Sequence, residues 1–181
     1  MPTVVDNLYA DSQSLLAFLI DRQEPSFHRF VDDISRKVLA LSAASLFEER
    51  VINMLLDFVR SKSNGDEAIV TLLRRKGVDG QYFKLFDWDK KNGYNTFFNL
   101  FGETMSLEFK ADLQNDPALK RSADSFLELG NLRNCLVHQN FANYAFEKSA
   151  AEVHQLYTDA NRFIDYLQTK FPSSIPVAPA S

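Results

Sequence analysis

Arg133-Asn134-Cys135-Leu136-Val137-His138 puts a permanent cation, an amide and an imidazole within one short stretch of chain. Those groups suit metal-independent cleavage of a phosphodiester. A guanidinium neutralises a scissile phosphate through its fork of donors. A histidine takes the proton from a ribose 2′-hydroxyl, or gives one to the leaving 5′-oxygen, because its pKa lies near neutrality. RNA is the nucleic acid that carries that hydroxyl. Glu48 belongs to the same reading. It lies on an apolar helical stripe between Ala44 and Val51-Ile52, while Glu49 and Arg50 turn further from it. An inward carboxylate needs a cationic or donor partner, and Arg133 is the natural one.

The same spacing is met more simply by a structural arrangement. Arg133 and Asn134 would then cap neighbouring carbonyls, and His138 would close a helix C-terminus, where a histidine is favourable. On a wheel of about 100° per residue, Leu119, Ala123, Phe126, Gly130 and Val137 share one direction, flanked by Arg133 and Asn134. Arg133 and His138 fall about 140° apart on that wheel. For the two to act together, the helix must end or loosen between them, or the partner must come from another subunit.

The elements that carry these residues are helical throughout. The spacing predicts a helix over 6–21, with Leu8, Leu15, Leu16 and Phe18 to Ile20 on its apolar side. Gln23-Glu24-Pro25 interrupts it, and Pro25 fits the first turn of a second helix running to about 61. Phe27, Phe30, Val31, Ile34, Val38 and Leu41 form the expected buried stripe there, with a bend expected near Ser42 to Ser45. A short helix from Glu67 to Lys76 ends at Gly77. Positions 78–95 are irregular, and Tyr82, Phe83, Phe86 and Trp88 are expected to pack that segment on the body, with base stacking as the less favoured role. Helix returns from Thr96 to about Leu113, again from Pro117 through the motif, and finally over 150–170 behind the Ser149-Ala150-Ala151-Glu152 capping box. No pair of alternating runs joined by a hairpin turn suggests a strand. The expectation is one all-α domain over 1–171, with a flexible tail over 172–181.

Composition narrows the function classes. Sixteen Phe against six Gly and six Pro favour closely packed helices, with aromatics left over for a subunit interface. A formal charge of −4 argues against coating nucleic acid through bulk basicity, yet a nuclease needs only a local positive site. Arg74-Arg75-Lys76 and Lys90-Lys91 are read first as solvated surface, and as phosphate contacts second. One cysteine excludes an internal disulfide, and three scattered His show no metal-ligand spacing. Cys135 reads as core filler, His28 as a boundary residue and His154 as a solvated one. Neither a metal nor a cofactor is expected. No window approaches the roughly 18–20 apolar residues of a membrane span, and the N-terminus lacks a signal-peptide layout, so the cytoplasm is the expected location.

Arg133-Asn134-x-x-x-His138 resembles the active-site motif of the HEPN superfamily, whose broader pattern is an arginine, four to six residues, then a histidine. Phe47-Glu48 in mid-helix resembles the aromatic-acid pair of the stand-alone HEPN proteins encoded beside RidA-type (ribonuclease L-PSP) proteins. Asn95-Thr96-Phe97-Phe98-Asn99-Leu100-Phe101-Gly102 is similar to that group's lead into its third large helix. The resemblance implies an up-and-down bundle of four to five main helices that forms a two-fold homodimer, with both motifs meeting in a cleft. It implies Arg133 and His138 as catalytic residues, Asn134 as a polar group positioning the motif, and Glu48 as the buried acid orienting Arg133 or His138. The expected activity is endoribonuclease cleavage leaving a 2′,3′-cyclic phosphate, in a toxin or antiviral defence role with a possible antitoxin or regulatory protein as partner. The alternative is a non-catalytic HEPN-like module that binds a partner protein or a nucleotide.

Overall fold

Two reciprocal capping boxes start the first and last helices. The Thr3 hydroxyl accepts the Asp6 N–H while the Asp6 carboxylate accepts the Thr3 N–H, opening α1 (Val4–Asp21). Ser149 and Glu152 do the same for α7 (Ala150–Lys170). Proline in the first turn, whose missing N–H costs nothing there, opens α2 (Pro25–Lys62) and α6 (Pro117–His138). Asp116 completes the start of α6 by accepting the N–H groups of Ala118 and Leu119. The computed structural model describes residues 1–173 and contains no strand among them. The tail expected from 172 onward lies, from position 174, outside the described residues.

The body is an all-α bundle in which α2, α6 and α7 pack mutually, α1 lies along α2 and α7, and a shorter helix α5 (Glu103–Asn115) leans on α6. Leu39, Ala43, Phe47, Val51 and Leu55 of α2 meet Phe126 and Leu129 of α6 and Val153, Tyr157 and Phe163 of α7 in one continuous core. A polar stitch crosses it. The Ser122 hydroxyl donates to the Asp159 carbonyl and accepts the Phe163 N–H, both at 2.6 Å, inserting α6 into the backbone ladder of α7.

Three expectations change. Phe27 and Phe30 are 61% and 64% exposed, so the first turns of α2 do not carry the buried stripe expected of them. With 38 residues, α2 is the longest of the described helices. Leu15, Phe18 and Ile20 of α1 are exposed at the same tip. The helix expected from Thr96 to Leu113 is two helices, α4 (Tyr94–Asn99) and α5, because Gly102 takes φ +95°, incompatible with α geometry. The short helix α3 (Glu67–Leu73) widens into a π-turn at Arg74–Val78 instead of continuing to Lys76. α2 itself remains helical without interruption across Ser42 to Ser45.

The irregular segment after the π-turn is pinned by its aromatics, as expected of Tyr82, Phe86 and Trp88, all buried. The Trp88 indole lies on the backbone of α6 at Gly130, where an added Cβ would sit 1.9 Å from a ring carbon. Helix propensity alone favours Gly130→Ala by about 1 kcal/mol. Overpacking of this kind costs about 1–3 kcal/mol and here displaces the ring. With the added Cβ so deep in the ring, the cost lies at the upper end of that range, and Gly130→Ala should lower stability by a net of about 2 kcal/mol, or roughly 4–8 °C in Tm. Trp88 is the only tryptophan, so its fluorescence reports the displacement directly as a red shift. A parent-like spectrum with a raised Tm would show that the ring does not depend on this contact.

Candidate functional site

α6 stays helical through His138, with the Gln139 N–H still bonded to the Cys135 carbonyl at 3.0 Å. The helix therefore neither ends nor loosens between Arg133 and His138, and within one chain the two side chains leave it in different directions. Arg133 and Asn134 are half-buried; His138 is exposed and makes no hydrogen bond or ion pair within the described residues. Val137, expected on the packed face, is 50% exposed, and Leu136 is buried instead. The buried seam of α6 has rotated by one position at this end.

Arg133 is held by its face. Its Cζ lies 3.4 Å from the centroid of the Phe83 ring, a separation that admits only stacking of the two planes. One long contact, 3.5 Å from Nη1 to the Asn134 Oδ1, uses a donor. The remaining N–H groups have no partner among the described residues. Arg36 shows the opposite arrangement. Its donors contact Asp32 and Asp33 and the carbonyls of Phe146 and Lys148, so its guanidinium is saturated.

Glu48 is half-buried near Arg133, and the two do not meet as an ion pair. Burial raises its pKa above the ordinary 4.5, and the Arg133 charge offsets that only in part. Tyr82 lies between them electrostatically. Its buried hydroxyl is held well above the usual tyrosine range by desolvation and by the Glu48 charge, against the pull of Arg133. Sequence reasoning gave Arg133, Asn134, His138 and Glu48, and gave Tyr82 and Phe83 a packing role first and base stacking second, with no part in holding Arg133. Their aromatic character in an irregular segment was the only signal, and it is shared with core residues.

The chain leaving His138 is held by α2. Lys37 is 1% exposed; its ammonium pairs with Asp33 at 2.7 Å and donates to the Phe141 carbonyl at 3.0 Å. Together with Arg36 on Phe146 and Lys148, it ties positions 141–148 to the bundle. Cys135 is half-buried beside Tyr144, whose hydroxyl is pushed up by burial and by its bond to the thiol. His154, expected as a solvated residue, instead joins α7 to α1. It bonds Asp6 at 2.9 Å and stacks on Tyr9 at 4.3 Å, because α1 packs over that part of α7. Lys90 pairs with Asp87, whereas Arg74, Arg75 and Lys76 are exposed. Among the described residues, no group of three His, Cys, Asp or Glu is placed to hold a metal, and no helix is long and apolar enough to cross a membrane.

The Glu48 environment has a sign that can be tested. Folding raises this carboxyl's pKa, so its contribution to stability is full below the unfolded value and is lost as pH rises through the folded one. Glu48→Gln removes that loss. The variant should match or exceed the parent in Tm near pH 7, and the difference should shrink as pH falls below about 4. A variant markedly less stable than the parent at neutral pH would make Glu48 a structural partner of Arg133.

No curated protein and no solved structure matches this chain. The model of the family described as RiboL-PSP-HEPN matches residues 6–172. That span takes in every helix named above but the first two residues of α1, and with them Glu48, Phe83 and the whole Arg133–His138 segment. The chain is a member of the RiboL-PSP-HEPN family.

Proposed function

We propose that this protein is a metal-independent endoribonuclease whose site is built from Arg133, Asn134, His138 and Glu48. The observation that carries the reading is the state of Arg133: a cation fixed by its face, with its donor edge unspent, five positions before an unpartnered exposed histidine. A structural arginine spends its donors, as Arg36 does. An arginine meant for a phosphate keeps them.

In this mechanism His138 takes the proton from a ribose 2′-hydroxyl, and the resulting oxygen attacks the adjacent phosphorus. The bond to the 5′-oxygen breaks, leaving a 2′,3′-cyclic phosphate and a 5′-hydroxyl that receives a proton from a second acid. Arg133 stabilises the charge on the non-bridging oxygens, and Asn134 and Glu48 hold the motif in place. His138→Ala and Arg133→Ala should each slow cleavage by about 10²- to 10⁴-fold. A 2′-deoxy substitution at the cut position should block the reaction, and EDTA should leave it unchanged. Parent-like rates in both alanine variants at equal dimer content would end this assignment.

The site is completed by a second copy. Helix α6 carries Arg133 and His138 to different sides without a break, so the two motifs work together across the two-fold cleft. The exposed tip formed by Phe18, Ile20, Phe27 and Phe30 gives apolar surface for such an assembly. A toxin or antiviral effector role with an antitoxin or regulatory partner fits a small nuclease of this kind. Sedimentation velocity over a micromolar range should show a dimer; a monomer at every concentration would remove the composite site.

A further inference from the structure

We infer that Phe83 is a positioning residue for Arg133, and that the irregular segment carrying it exists to present the guanidinium edge-outward to a phosphate. This rests on the reading of Arg133 as the phosphate-binding group. The geometry forms a chain of three contacts. Trp88 sits on Gly130, where no Cβ intervenes, and against Phe126 at 5.4 Å. The Trp88 indole N–H donates to the Phe83 carbonyl at 2.9 Å, which fixes the backbone of Phe83 relative to α6. The Phe83 ring then lies 3.4 Å from Arg133 Cζ, less than one helical turn beyond Gly130.

Stacking solves a problem that pairing would not. A half-buried guanidinium needs compensation, and Glu48 is a carboxylate on which its charge acts. A direct Arg133–Glu48 pair would consume two donors in the fork and leave fewer for a ligand. The π face of Phe83 attracts the cation while touching none of the N–H groups, which lie in the guanidinium plane. Tyr82, buried next in line, packs edge-on against Phe83 with centroids 5.0 Å apart and keeps that ring from turning. Without Phe83 the arginine is free to swing onto Glu48.

The decisive comparison is Phe83→Leu, which keeps apolar bulk and loses the π face, against Phe83→Tyr, which keeps both. Both are measured at matched folded fraction by circular dichroism. Phe83→Leu should lower kcat on an RNA oligonucleotide by about 10- to 100-fold with KM within about threefold of the parent, and Phe83→Tyr should restore kcat. The Arg133 Nε–H resonance, assigned by its loss in Arg133→Ala, should be shifted upfield by the ring in the parent and in Phe83→Tyr, and should relax in Phe83→Leu. Parent-like kcat in Phe83→Leu, or an unshifted Arg133 resonance in the parent, would overturn the inference. If the parent cleaves no RNA, the nuclease reading fails by itself, and the resonance comparison still decides whether Phe83 holds Arg133.

Discussion

The contact between the Trp88 indole and the bare backbone of Gly130 is the constraint on which the site's architecture turns. An irregular segment has few backbone hydrogen bonds of its own and is held by what its side chains reach. Here a single large ring finds the one position on that face of α6 where a helix can be approached to van der Waals distance. Phe86 and Tyr82 follow it into the core, against Phe97 and Phe83 respectively. Placing Trp88 also places Phe83, since the indole N–H holds the Phe83 carbonyl. The orientation of Arg133 is thus set from outside its own helix.

Two ways of accommodating a cation sit side by side in this bundle. Arg36 and Lys37 are spent on structure, their donors committed to carbonyls and carboxylates that fasten the chain after His138. Burying charge at that cost is repaid only when the hydrogen bonds are complete. Arg133 is treated differently: its face is covered and its edge is left open. Glu48 stays close enough to bias the local field, yet its raised pKa shows that desolvation outweighs its attraction to the arginine. In the proposed site, that open edge is what would meet the scissile phosphate.

The length of α2 has a related consequence. Its first turns, with α1, leave in solvent phenylalanines that the apolar stripe had assigned to the interior. Periodicity identifies an apolar face but not what covers it. Uncovered aromatic surface at one end, and a histidine directed away from its arginine at the end of α6, make a single copy look like half of an assembly. Both features belong to the proposed two-fold arrangement, and neither is needed by the fold of one chain.

The helices were legible in the sequence because their determinants are local: capping residues at Thr3, Asp116 and Ser149, prolines at 25 and 117, and a repeating apolar stripe. The motif residues were legible because Arg, Asn and His at that spacing stand out within a helix. The break at Gly102 was missed because phenylalanines on both sides keep a helical rhythm, while the backbone angle of one glycine interrupts it. The exposure of Phe27, the rotation at Val137 and the latch through His154 depend on which helix lies alongside, which no local pattern encodes. The sequence by itself determined an all-α chain with an arginine, an amide and a histidine on one helix and an acid on another. Only the tertiary structure decided that Phe83 covers the arginine and that the helix runs on intact to the histidine. The first outcome follows from a long-range contact between positions 88 and 130, of which chain neighbours carry no record.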